Sequence, residues 1–473
     1  MTLPLIAIFG ALTLLAAFLS DRIRGLFLFT LSILAIYALQ PALPIRYLDF
    51  WLPTAALGLA VIFWISLRGA DWQSALLTRD NLLSAAWMGL LIVVLALTRF
   101  LPSAPSPLTP SMPPRLELVF AALLVVTALA ALTGRVRFGW VHWIGLVTLI
   151  VLLTILKSPE ASLWMARTLR LANGQSVETA SSFDIRWLGI SYITFRILHT
   201  LRERRMGTLP EVSLREYVTY IFFYPALTAG PIDRIERFVK DLRASWKPAQ
   251  DDWIVVVQRI GLGLFKKFIL ADSLALMALN VQNADKVQST GWAWILLYAY
   301  ALQIFLDFSG YTDIAIGMAR MVGIRLPENF NAPYLRANIT QFWNNWHMTL
   351  TQWFRAYFFN PLTRSLRMRQ FPIWSVILIT QLATMILIGL WHGVTLNFVI
   401  WGIWQGLGLF VHNRWSDATR ARVGEWALTP LRQNLLNASG IFITFNFVAL
   451  GWVWFVLPAP ALAVQFFVRL FGN

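Results

Sequence analysis

Two of the five histidines follow a tryptophan in otherwise apolar surroundings, at Trp346-His347 and Trp391-His392. His392 lies between two apolar runs, each nearly long enough to cross a bilayer, and an ionisable ring in that setting is a functional-site candidate. An imidazole titrates near pH 6.5, so it can take a proton from a hydroxyl and return one to a leaving group. Burial lowers that value and keeps the ring neutral, which suits a base. Acyl transfer from a thioester needs little beyond such a base, good alignment and donors for the developing oxyanion. No protein nucleophile is required. Two tryptophans could wall the site and exclude water.

His392 and His347 are therefore the candidate catalytic residues. Trp346, Trp391, Asp307, Ser309, Asp313, Asn344 and Asn345 are expected to line a substrate tunnel or support it. The competing reading of either histidine is a hydrogen-bonded packing role. Asp307 and Asp313 are six residues apart and not on one helical face, so they are not a matched acid pair. Helix pairing, or the lining of a polar cavity, suits them better.

Other chemistries find little support. The chain contains no cysteine, which rules out disulfides, a catalytic thiol and thiolate metal ligands. It has no GxxxxGK[ST], no GxGxxG after a strand and no GxSxG elbow, and no His/Asp/Glu spacing matches a metal site well. The net charge of +16 sits in short loops between apolar runs. That placement fits the bias of cytoplasmic loops rather than a nucleic-acid surface.

These residues must be held by membrane helices. Of the 473 residues, 58% are hydrophobic and only 13% charged, about half the charge of a typical soluble domain. Spans are expected near 2–20, 25–40, 49–67, 82–99, 116–133, 138–156 and 186–201. The first is read as a retained span rather than a signal peptide. The basic loops put the N-terminus and the proline-rich loop Leu101–Pro114 outside. Leu163–Leu171 would then be an amphipathic helix on the outer surface. Tyr217–Gly230 is short and has basic loops on both sides, so it reads as re-entrant. Asp233 is expected to pair with Arg234 or Arg237, and His199 to be a helix-end histidine.

Further spans are expected near 253–279, with Lys266 and Lys267 in mid-run, and 291–322, with Asp307 and Asp313. Residues 328–370 read as a re-entrant or interfacial helix pair. Phe371–Leu390 and Val394–Val411 form a hairpin with His392 at its bend, Gly440–Leu457 is a last clear span, and Ala461–Phe471 is too short to assign. The fold class is all-α, a polytopic membrane protein with about eleven to thirteen spans plus re-entrant or interfacial pieces.

In order, GISYITF (189–195), TAGPIDRIERF (228–238), DFSGYTDIAIG (307–317), NFNAPYL (329–335), FWNNWHMTLTQWFR (342–355) and GLWHGVTLNFVIWG (389–402) resemble the membrane-bound O-acyltransferase family. The likeness runs roughly from Gly189 to His412 and is greatest to the bacterial branch, which includes teichoic-acid D-alanyl transferases and O-acetylases of alginate and cellulose. By that resemblance His392 matches the family's essential histidine and His347 its second signature position. The resemblance implies a ring of tilted helices around a thin centre, where a cytoplasmic thioester donor meets an extracytoplasmic hydroxyl acceptor. It further implies a donor that is an acyl carrier protein's phosphopantetheine or acyl-CoA, no permanently bound cofactor, and an outer partner that is an acyl-relay protein or the polymer itself, with the chain in the inner (cytoplasmic) membrane. This organisation divides the chain into N-terminal spans 1–185, a catalytic core 186–412 and a C-terminal segment 413–473. Two rival readings are a transporter or flippase, which paired broken helices in an inverted repeat would favour, and a non-catalytic membrane scaffold. The chain shows no such repeat.

Overall fold

Long apolar runs with few helix breakers dictate what a bilayer permits: helices that satisfy their own backbone. A computed structural model describes residues 2–101, 108–136, 138–426 and 428–472, and every regular element among them is helical. Residues 102–107 of the proline-rich loop, and Arg137 of the GRVR loop, lie outside the described residues. The chain is an all-α, multi-pass membrane protein. Seven described helices are long and apolar enough to cross: Leu48–Arg68, Arg79–Phe100, Leu116–Arg135, Phe138–Lys157, Thr290–Met321, Ile373–His392 and Pro430–Val456. The other expected spans fall on helices that are shorter, such as Leu3–Ala17, or more polar, such as Ile190–Met206 and Leu396–Trp426.

The chain divides into two units, Met1–Arg259 with Ala315–Leu326, and Ile260–Ile314 with Pro327–Asn473. In the first unit, the expected re-entrant piece is a broken helix. Leu214–Phe222 starts at a capping box between Ser213 and Glu216, and Tyr224–Ala226 follows as a single tight turn. A helix that stops inside a core leaves carbonyls without partners. The buried Arg196 supplies them: its Nη1 donates to Tyr220 O (3.0 Å) and Ile221 O (2.7 Å), and its Nη2 to Ala226 O (3.1 Å). Asp233 accepts from Arg237 Nε at 2.9 Å and from the Arg234 backbone N–H at 2.7 Å, the structural pairing its sequence suggests. Leu163–Leu171 lies inside a helix, Pro159–Ala172, that buries Ser162, Ala166 and Arg170 along one face. Arg170 Nε donates to Asp184 at 2.6 Å.

In the second unit, the lysines in mid-run find the acids. The helix Gln250–Leu264 widens into a π-turn at Phe265–Ala271. From that turn Lys266 Nζ reaches Asp313 at 2.7 Å, and Lys267 pairs with Asp307. Gly263 and Gly310 allow the close approach: a Cβ on Gly263 would sit 2.6 Å from the Gly310 carbonyl oxygen. Breaking a buried ion pair from one side strands the other charge and costs about 3 kcal/mol or more. Asp313→Leu is expected to lower the midpoint of thermal aggregation in detergent, and Lys266→Met in the same chain to restore most of it. A double variant no more stable than Asp313→Leu alone would deny the pair a structural role.

Two helices outrun their hydropathy. Leu396–Trp426 continues about four turns past Val411, where the apolar run ends, and Pro430–Val456 starts well before Gly440. Charge ends a membrane span, but Ala and Arg are good helix formers and do not end a helix.

Candidate functional site

The site residues all lie in the second unit. His392 is the last residue of Ile373–His392. Gly393 is extended, and Leu396–Trp426 begins three residues later. Glycines let these two helices close into a tight hairpin. A Cβ on Gly389 would lie 2.2 Å from the Phe398 carbonyl oxygen, and one on Gly402 would lie 2.6 Å from Ile386 Cα. Close backbone approach through small residues is how membrane helices gain contact without a hydrophobic driving force. Asn397 Nδ2 donates to Leu457 O at 2.5 Å, which ties the start of the second hairpin helix to the end of Pro430–Val456. Three helix ends thus meet at His392.

The His392 ring is half-buried among aromatics. Its centroid lies 4.5 Å from Trp391, 4.8 Å from Phe455, 5.8 Å from Trp401 and 6.0 Å from Phe398. The Trp391 ring also reaches His347, at 6.4 Å. The two histidines, 45 residues apart in sequence, therefore contact one indole.

His347 sits in the break of the expected helix pair, between Ile339–Asn345 and Met348–Phe354. Its backbone is left-handed (φ 43°, ψ 53°), a conformation that costs a non-glycine residue roughly 1–2 kcal/mol. Two backbone bonds to the NFNAPYL segment hold it: Met348 N–H to Asn329 O (2.9 Å) and Asn331 N–H to Asn345 O (3.1 Å). The imidazole is 3% exposed and stands edge-on to Phe308 at 4.7 Å. Burial pushes it below the ordinary histidine range, so it is neutral near pH 7. Its Nδ1 lies 3.2 Å from Asn329 Oδ1, and Nε2 is buried with no hydrogen bond among the described residues. An unmet buried polar atom costs about 1–3 kcal/mol and calls for a reason.

The remaining candidates separate. Trp346 is 4% exposed and stacks on Phe342, against Phe330, Tyr334 and Trp452. Ser309 is buried, and its hydroxyl has no hydrogen bond among the described residues. Asp307 and Asp313 each belong to a lysine. Asn345 Nδ2 donates to Gln341 O at 2.8 Å. Asn344 accepts a hydrogen bond from Arg355, and both line a cavity of about 270 Å³. Gln381, Thr384, Met385 and Ile388 line the same cavity. Those four and His392 follow helical spacing, so they share one face of the helix that His392 ends.

Two features escape sequence reading. Asn329 is fully buried against His347, although the sequence gives it no role beyond opening the NFNAPYL segment. In the first unit, His199, Glu203 and Glu236 bring ligand-type atoms within 4.8 Å of one another. His199 Nε2 already accepts the Ile235 backbone N–H at 3.2 Å, and Glu203 accepts from Thr208, so the group is engaged as a structural cluster.

Comparison with known proteins agrees with this architecture. The model of the MBOAT (membrane-bound O-acyltransferase) family matches residues 131–454. The chain is 34% identical to the teichoic acid D-alanyltransferase of Streptococcus thermophilus over 288 residues, 57% of this chain and 68% of that protein. It is 34% identical to a probable alginate O-acetylase of Pseudomonas aeruginosa over 289 residues, 60% of this chain and 51% of the other. Against the peptidoglycan O-acetyltransferase of Helicobacter pylori the identity is 32% over 248 residues, 51% and 43% of the two chains. The chain belongs to the membrane-bound O-acyltransferase family.

Proposed function

We propose that this membrane-bound O-acyltransferase moves an acyl group, acetyl or D-alanyl, from a cytoplasmic thioester to a hydroxyl of a cell-envelope polymer on the other side. The donor is an acyl carrier protein's phosphopantetheine or acyl-CoA. The acceptor is the polymer or an outer relay protein. The supporting observation is the cavity along the helix that ends in His392. The stretch that lines it, from Gln381 to Ile388, rises about 10 Å, and His392 stands one turn beyond on the same face. Arg355 at the cavity offers a fixed positive charge to the donor's phosphate.

In this reading His392 is the general base. It takes the proton of the acceptor hydroxyl as the oxygen attacks the thioester carbonyl. The C–O bond forms, the C–S bond breaks, and the proton passes to the departing thiolate. The first turn of Leu396–Trp426 leaves backbone N–H groups without helical partners, which suits the charge that develops on the carbonyl oxygen. The surrounding rings exclude water that would hydrolyse the thioester. Asp307, Asp313 and their lysines hold the scaffold and take no part in the chemistry.

The experiment is chemical analysis of the envelope. Mild alkali releases ester-linked acetate and D-alanine from the isolated polymers of a deletion strain and of its complemented parent. One of the two esters is expected to fall to background in the deletion and return on complementation. Unchanged levels of both would remove the assignment.

A further inference from the structure

His347 is held in one chemical form by a single oxygen. Asn329 Oδ1 accepts from the Thr349 hydroxyl at 2.6 Å and from the Thr349 backbone N–H at 3.3 Å, and it faces His347 Nδ1 at 3.2 Å. A backbone N–H can only donate, so the atom facing the imidazole is the amide oxygen. His347 Nδ1 must then carry the proton, and Nε2 keeps its lone pair. That Nε2 is buried and makes no hydrogen bond among the described residues. The Phe308 edge offers it none, and the next ring, Trp391, is the one that also touches His392.

We propose that Asn329 is a positioning residue that locks His347 as the Nδ1–H tautomer, so that Nε2 accepts a hydrogen bond from an N–H or O–H group of the bound substrates. The inference rests on acyl transfer at His392, because the shared Trp391 ring is what joins His347 to that centre. Two groups have the right chemistry: an amide N–H of the donor's pantetheine arm and the hydroxyl of the acceptor. A bare acceptor distinguishes the tautomers, since the other one would present an N–H, which repels an amide N–H and can only donate to a hydroxyl oxygen. The Asn329 amide nitrogen makes no hydrogen bond among the described residues, so only its oxygen matters.

The test is ¹⁵N solid-state NMR of histidine-labelled protein in membranes, with His347 assigned by its loss in His347→Asn. The wild type should show one species, protonated at Nδ1 and bare at Nε2. A protonated Nε2, or a mixture, in the wild type overturns the proposal without any variant having to fold. Asn329→Leu should give mixed tautomers and a roughly tenfold lower kcat, about the worth of one buried hydrogen bond. The probe is acetyl-coenzyme A, or D-alanyl carrier protein where acetyl-coenzyme A is not consumed. Asn329→Asp keeps the accepting oxygen and should retain the tautomer and most of the rate. A rise in donor KM for Asn329→Leu assigns the bond to the pantetheine amide, and a rise in acceptor KM assigns it to the hydroxyl. A single Nδ1–H tautomer in Asn329→Leu, or mixed tautomers with unchanged kinetics, overturns it. Should His392→Ala keep its activity, the underlying reaction is wrong, while the tautomer result stands by itself.

Discussion

His392→Ala is expected to lower acyl transfer by a factor of about 10²–10⁴, the usual contribution of a positioned general base, while the protein still inserts and folds. The two effects separate because of what the ring touches. Its neighbours are Trp391, Phe398, Trp401 and Phe455, which pack on one another as well: Trp401 lies 5.6 Å from Phe455, and Phe398 lies 5.1 Å from it. Removing a half-buried imidazole from this cage leaves most of the cage's own contacts in place. The cost is that of a partial core truncation, below the roughly 2–5 kcal/mol of a full aliphatic deletion. The tight hairpin that holds residue 392 depends on Gly389 and Gly402, not on the imidazole. The measurement is ester content of the envelope alongside the amount of monomeric protein extracted from membranes. Full protein with full acylation would exclude His392 as the base. Loss of both together would make the residue structural.

Flanking charge at Tyr217–Gly230 argued only against a crossing, and the break after Phe222 carried no such mark. The long apolar runs were legible because a bilayer leaves few alternatives to helix. Helix ends were not. Leu396–Trp426 passes its last apolar residue without changing conformation, since the signal that marks a span is solubility and the signal that marks a helix is propensity. The site was legible only in part, for a related reason. Trp346-His347 and Trp391-His392 read alike as dipeptides, but backbone conformation sends them to different places. Trp391 lies in a helix and meets both imidazoles, whereas Trp346 precedes a left-handed residue and turns into its own aromatic cluster. A positive φ at a histidine has no sequence marker of the kind glycine provides. Asn329 stayed hidden with it, because its contact with a ring 18 residues away exists only once that turn forms. The lysine–aspartate pairs were half legible. Charges inside apolar runs must face a bundle interior or a cavity, but the matching of Lys266 with Asp313 and of Lys267 with Asp307 emerges only once the helices pack.

Gly389→Ala is expected to cost as much activity as the loss of a substrate contact, although it adds one methyl group and removes nothing. The new Cβ would stand 2.2 Å from the Phe398 carbonyl oxygen and 3.1 Å from the carbon that bears it. Both are backbone atoms of a helix, so neither can rotate away. The hairpin must open by about an ångström to restore ordinary contact distances. Overpacking of this kind costs roughly 1–3 kcal/mol, and a 1 Å misplacement of reacting groups can cost about 100-fold in rate. His392 stands three residues beyond Gly389, and Phe398 is one of its ring neighbours, so the displacement falls directly on the imidazole. Gly89→Ala and Gly261→Ala provide the comparison, since a Cβ at either position meets nothing within 4 Å. In those helices alanine should be neutral or slightly stabilising, by up to about 1 kcal/mol. Thermal midpoints in detergent and acyl-transfer rates of the three variants decide the matter. If Gly389→Ala matches the two controls in both, then the backbone contact between the hairpin helices does not set the position of His392, and the ring cage alone must do so.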